Sequence, residues 1–137
     1  MFDDLETEER ALDEREESLL ARERSLDGSA DRAALQSLAT DWDALADARD
    51  RVADDWDKVA TTRDNNSWDR DVAALVRDRL THDQEPTALD RIWANRDRDS
   101  AQDDRIEARR DRQRSAATRA ASARDRARAR SVRDQLG

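Results

Sequence analysis

The chain has 137 residues, of which 44 % are charged, and a formal net charge of −8; a typical soluble domain is only about 25 % charged. Leu, Ile, Val and Phe together number 20, too few for a conventional globular core at this length. With no Cys, two Gly and one Pro, the composition excludes disulfides, thiolate chemistry and a Gly/Pro-rich flexible linker.

Both signs of charge are abundant, 26 basic groups against 34 acidic, so the chain is a polyampholyte and not a one-sign tail. Its 24 Ala and 25 Arg favour helix, while the many Asp are weaker helix formers. The expected fold is all-α, with extended helices forming a coiled-coil-like hairpin or an oligomeric bundle. Met1-Phe2-Asp3-Asp4 lacks the basic and apolar regions of a signal peptide. No apolar run approaches the ~20 residues of a membrane span. The expectation is a cytoplasmic protein.

Residues 1–27 read as an acidic first helix. Leu5, Leu12, Leu19 and Leu26 recur every seven residues, with Glu8 or Glu9, Arg15 and Arg22 on the other half of the seam. So narrow a stripe makes a weak coiled coil. Asp27-Gly28-Ser29 reads as a stop and restart, with Gly28 at a left-handed C′ position and Ser29 capping the next helix.

Residues 29–80 carry the strongest pattern. Leu35, Leu38, Trp42, Leu45, Val52, Trp56 and Val59 follow 3-4 spacing, interrupted only by Arg49, and so share one helix face. Ala39, Ala46, Ala53 and Ala60 widen it with small side chains that let a partner helix approach. For Trp42 and Trp56 the spacing favours core packing between helices; the other reading is an aromatic hot spot for a partner protein. Either way a second helix must cover the seam. Asp43, Asp50, Asp57, Asp64, Asp71 and Asp78 lie seven apart, and Arg precedes Asp at 49, 63, 70 and 77. This register survives Asn65-Asn66-Ser67, where the helix either runs through or restarts with Asn66 as its cap. Trp68, Val72, Leu75, Val76 and Leu80 form a second short apolar face.

Residues 81–87 read as a loop, because Pro86 disfavours helix at Glu85 and suits a first helical turn. Residues 88–137 form an Arg/Asp/Ala-rich C-terminal helix or tail, in which frayed ends are expected. The Asp register resumes at Asp90, Asp97, Asp104, Asp111 and Asp125.

Nothing in the sequence assembles a catalytic group. The single histidine, His82, falls in the loop, and the carboxylates fall on solvated helix faces. General acid-base work needs a group tuned by burial. There is no Glu-x-x-His pair and no Gly-rich phosphate loop. A non-enzyme without cofactor, metal or small-molecule substrate is expected.

The ends differ in charge. Residues 1–31 hold 12 acids and 4 bases, and residues 105–137 hold 11 Arg and 4 acids. In the second stretch Arg105/Arg109, Arg110/Arg114, Arg124/Arg128 and Arg126/Arg130 are like-charge pairs four apart, each weakening an isolated helix by a few tenths of a kcal/mol. The relieving anion is either a polyanion such as nucleic acid, an anionic membrane surface, or the acidic first helix of the same or a neighbouring chain; a solvated tail is the remaining reading. The candidate polyanion contacts are Arg109, Arg110, Arg112, Arg114, Arg124, Arg126, Arg128 and Arg130. They scatter around the helix without interleaved aromatics, which speaks against a dedicated nucleic-acid groove.

Arg49-Asp50-Arg51-Val52-Ala53, Arg70-Asp71-Val72-Ala73-Ala74 and Arg124-Asp125-Arg126-Ala127 resemble the Arg-Asp-x-x-Ala heptad repeats of signalling proteins from high-GC Gram-positive bacteria. Such segments flank cyclase and sensor-type output domains. The resemblance implies a helical connector or dimerising segment and carries over no functional residue. The expected function is a scaffold or adaptor that self-associates or binds a helical partner through the Leu35–Val59 seam, with complementary charges setting register. The alternative is polyanion binding through the Arg-rich end.

Overall fold

The computed structural model describes residues 2–80 and 87–137. They form three helices: α1 (Phe2–Ser25), α2 (Arg32–Leu80) and α3 (Ala88–Leu136). No strand occurs among the described residues, and the chain is all-α. The reading of 81–87 as a loop falls, apart from Thr87, outside the described residues, as does His82.

Each helix end has a local chemical cause. Asp3 and Asp4 sit in the first turn of α1 and Arg22 and Arg24 in its last, each sign matched to the helix dipole. Beyond Ser25 the backbone turns through Gly28 at φ 71, a conformation that costs glycine little. The sequence pointed to Ser29 as the next cap, but the cap is Asp31. Its Oδ1 accepts from the backbone N–H of Ala34 at 3.0 Å, three residues on, where a capping carboxylate belongs. The Ser29 hydroxyl instead accepts from the N–H of Asp31 at 3.1 Å, closing the turn just upstream. At α3, Thr87 and Asp90 cap reciprocally: Thr87 Oγ1 accepts from the Asp90 N–H, and Asp90 Oδ2 accepts from the Thr87 N–H, both at 3.1 Å.

Asn65-Asn66-Ser67 does not break α2, so Asn66 caps nothing. Ser67 is buried on the same seven-residue row as Ala60 and Ala74 and accepts a hydrogen bond from Arg105 Nη1 at 3.0 Å. Packing there overrides the weak helix propensity of the Asn pair. The C-terminal stretch, for which fraying was expected, is helical to Leu136, with Ala129 and Val132 buried.

The chain divides into two compact units. One comprises Met1–Trp56 with Arg114–Gly137 and the other Asp57–Gln113. The first joins α1 to the N-terminal half of α2 and the C-terminal end of α3. Its core holds Leu19 of α1, Leu35, Leu38, Ala39, Trp42 and Leu45 of α2, and Ala129 and Val132 of α3. Leu12, Leu20, Leu26 and Leu136 pack around it. The second unit is a two-helix hairpin.

Small residues let the hairpin helices close on one another in both units. On α2 the row Ala39, Ala46, Ala53, Ala60, Ser67 and Ala74 is buried, and on α3 the row Ala94, Ala101, Ala108, Ser115, Ser122 and Ala129. In the first unit the Ser122 hydroxyl donates to the Ala46 carbonyl at 3.1 Å, a reach from one helix to the other's backbone. In the second, Arg70 Nη1 donates to the Ser100 carbonyl at 3.2 Å.

Candidate functional site

The charge repeat is a ladder of ion pairs between α2 and α3. In the second unit Arg63 pairs with Asp111 at 3.2 Å, Arg70 with Asp104 and Arg77 with Asp97. Beside these, Asp64 pairs with Arg112, Asp71 with Arg105 at 2.7 Å and Asp78 with Arg98. Each step of seven up α2 meets a step of seven down α3, as antiparallel helices with matched heptads require. Hence Arg-Asp on α2 faces Asp-Arg on α3.

The first unit repeats the same step with different contents. Asp43 pairs with Arg133 at 2.7 Å and Asp50 with Arg126 at 2.6 Å. Arg49, which interrupts the apolar seam in sequence, pairs with Asp125 through two hydrogen bonds of 2.8 and 2.9 Å. Arg49 is 4 % exposed, whereas Arg70 of the second unit is 43 % exposed. The difference arises because α1 lies over Arg49, bringing Asp13 and Glu16 to 3.4 Å. The adjacent layers replace charge by bulk: Trp42 and Trp56 are fully buried. The Trp56 indole N–H donates to Glu9 at 2.6 Å. The Trp42 indole N–H is buried without a hydrogen-bond partner.

Titration follows this geometry. Burial pushes the Asp125 carboxyl above the usual carboxylate range, and the Arg49 charge offsets this only in part. Partial burial also pushes Asp50 up, but hydrogen bonds and charge from Arg126, with a bond from Ser122, outweigh it and hold Asp50 below its ordinary value. Asp90 is held low by the hydroxyl and N–H of Thr87.

The seam expected to face a partner, Leu35, Leu38, Trp42, Leu45, Val52, Trp56 and Val59, is buried inside the chain. Its covering helices are the chain's own, since Leu19 of α1 and Ala129 and Val132 of α3 share its core. A partner therefore finds no open surface there.

Most of the candidate polyanion contacts are likewise engaged. Arg110 meets Glu107, Arg112 meets Asp64, and Arg126 meets Asp47 and Asp50. Arg114 meets Glu6 at 3.2 Å and lies 4.7 Å over the Trp56 ring. Arg128 meets Glu23 at 3.0 Å and lies 5.3 Å over Trp42. These carboxylates relieve the like-charge pairs that would otherwise weaken α3. Arg109, Arg124 and Arg130 remain exposed and without an ion pair among the described residues.

Large apolar side chains also lie open. Trp68, Val72, Leu75, Val76 and Leu80 of α2 and Leu89, Ile92 and Trp93 of α3 are all exposed, and all belong to the second unit. The α2 members were readable as an amphipathic face. Their exposure, and the three that join them from α3, were not.

Among the described residues no cluster of three or more His, Cys, Asp or Glu is placed to hold a metal ion, and no helix is long and apolar enough to cross a membrane. A scan of protein-family models and searches of curated proteins and of solved structures find no match to this chain.

Proposed function

We propose that the chain is a non-enzymatic helical scaffold of the cytoplasm, built on coiled-coil-like packing and working by self-association or by holding a helical partner protein. The observation that carries this reading is the exposed apolar set of the second unit. Eight large apolar side chains of one hairpin face solvent in a chain otherwise so poor in them, and apolar exposure in excess of scattered single residues favours association. Asp125, the buried carboxyl that is pushed up, is held by Arg49 and closed off from solvent, which supports a non-catalytic reading.

Light scattering after size exclusion, at low and high salt, tests the reading. A mass above one copy that persists at high salt supports apolar association, which salt does not screen.

Polyanion binding is the second reading, favoured by the open guanidinium groups of Arg109, Arg124 and Arg130. Against it stands the acidity of the whole chain, which repels phosphate. Anisotropy of labelled duplex and single-stranded DNA separates the two. Use of three phosphate contacts predicts a log–log salt slope of about −3 on duplex DNA. Such binding, lost when the three Arg become Gln, would replace the scaffold reading.

A further inference from the structure

In the first unit α1 meets the hairpin in the same seven-residue steps that join α2 to α3. Glu9, Glu16 and Glu23 recur every seven residues on α1, and Trp56, Arg49 and Trp42 do so on α2 in the opposite direction. Glu9 accepts from the Trp56 indole N–H at 2.6 Å, and Glu16 lies 3.4 Å from Arg49. The register assigns Glu23 to the Trp42 layer. Glu23 instead meets Arg128 at 3.0 Å, and the Trp42 indole N–H stays buried without an acceptor. On α3, Arg114 and Arg128 lie over the Trp56 and Trp42 rings at 4.7 and 5.3 Å and hold Glu6 and Glu23. The groove between α2 and α3 thus has a Trp floor and an Arg rim, and α1, with ten acids and four bases, complements it in charge.

The hold of α1 on this groove is of a kind that opens. Glu6, Glu23 and the two Arg they meet are between 31 and 46 % exposed, so salt screens these pairs. Of the apolar stripe, Leu5 and Leu19 are buried, and Leu12, Leu20 and Leu26 only partly so. The contacts of α2 with α3 in the same unit are separate. Asp43 meets Arg133, Asp50 meets Arg126 and Ser122 reaches the Ala46 carbonyl, with no atom of α1 between them. The second unit pairs the same two helices without a third. An element so attached opens locally while the rest stands. Opening bares Trp42 and Trp56, so the stable alternative to the closed chain is one in which another helix takes the place of α1.

We propose that the groove of Trp42, Arg49, Trp56, Arg114 and Arg128 is a binding site for a helix of a partner protein, and that α1 is its releasable cover. The fitting helix is acidic, carries Glu and Leu each at every seventh residue, and runs antiparallel to α2. A tether as short as residues 26–31 keeps α1 at an effective concentration in about the millimolar range, so α1 excludes weaker helices. A partner helix that brings a carboxylate or amide oxygen to the Trp42 N–H satisfies a buried donor that α1 leaves unpaired, and this favours the exchange. The proposal rests on the scaffold reading and names its partner by chemistry.

A fluorescein-labelled peptide of residues 2–27 is the probe, its anisotropy followed with the full chain and with the full-length variant Glu6→Gln/Glu23→Gln, which loosens the resident α1. The peptide should bind the variant at least about fivefold more tightly than the parent, and a peptide carrying the same two substitutions should lose that gain. Should the variant lose the helicity of α2 and α3, Glu6→Gln alone takes its place. Hydrogen exchange of the unmodified full chain reads the same opening without any variant. Amides of α1 should exchange at least about tenfold faster than those of residues 38–52. Amides of α1 that exchange no faster than those of α2 overturn the proposal, because α1 is then a fixed part of the core. A peptide that binds neither protein overturns it as well. Either failure beside a mass above one copy in light scattering leaves the scaffold reading standing through self-association.

Discussion

Replacing Asp125 with Ala isolates what the buried ion pair contributes. Asp125 accepts two hydrogen bonds from Arg49 Nη1, at 2.8 and 2.9 Å, in a site where the carboxylate is fully buried and the guanidinium 4 % exposed. Removing one member of a buried pair costs about 3–5 kcal/mol, mostly because the other charge is left unsatisfied. Here Asp13 and Glu16 remain at 3.4 Å, so the expected loss lies at the lower end, about 3 kcal/mol. The double variant Arg49→Met/Asp125→Ala removes both charges and restores an apolar layer between Trp42 and Trp56. It should lie within about 1 kcal/mol of the parent or exceed it, as apolar replacement of buried pairs often does. By contrast, Asp78→Ala breaks a pair whose partners are both half exposed and should cost under about 1 kcal/mol. Urea unfolding followed by far-UV circular dichroism measures all three. A double variant that loses as much as Asp125→Ala alone would refute the reasoning, because the cost would then come from packing and not from an orphaned charge.

Trp42→Ala and Trp56→Ala each empty a fully buried site and should each cost about 3–5 kcal/mol in the same urea assay. Trp56→Phe should cost more than Trp42→Phe, since only the Trp56 indole has a hydrogen bond to lose, to Glu9; equal losses would contradict the bonding described. The fluorescence of single-Trp variants should split, with blue-shifted emission from Trp42 and Trp56 and water-like emission from Trp68, which is 70 % exposed. In acid, the depressed carboxyls Asp50 and Asp90 contribute stability that is present above the ordinary carboxylate pKa and lost as pH falls through their lower folded values. Asp125, raised, has the opposite sign: its native form takes up a proton first, favouring the fold as pH falls toward the ordinary value. Asp90→Asn should therefore shrink the stability lost below the ordinary carboxylate range, and Asp125→Asn should enlarge it, both read from urea midpoints against pH.

Much of the fold was legible because it is written in periods. The Leu and Trp seam, the stop at Gly28 and the helical class follow from spacing and backbone preference. That complementary charges set register was legible, but which Arg meets which Asp was not. Alternating Arg and Asp on a helix reads as a solvated face, since pairing depends on which helix lies opposite and in which register. A signal was nevertheless present. On α2 Arg precedes Asp, as in Arg70-Asp71, and on α3 Asp precedes Arg, as in Asp104-Arg105. That reversal is what two antiparallel helices need to place opposite charges in adjacent rungs. Arg49 shows the same limit: on one helix it is a flaw in the seam, and only Asp125, 76 residues away, makes it part of the core. What covers the seam was not legible for a related reason. An apolar seam calls for a covering helix, but nothing in the seam itself says whether that helix belongs to the same chain. Here α1 and α3 supply the cover, and the open apolar surface lies in the second unit, where α2 and α3 pair without a third helix.

The Arg-Asp repeat sets the antiparallel register of α2 and α3, and charge reversal across one rung tests this directly. Arg70→Asp and Asp104→Arg each place like charges opposite one another in a rung that is partly exposed, and each should lower stability by about 1–2 kcal/mol. The combined variant Arg70→Asp/Asp104→Arg restores the pair in the opposite sense and should return to within about 0.5 kcal/mol of the parent. Losses that simply add in the combined variant would show that the two residues do not face one another, and would contradict the ladder.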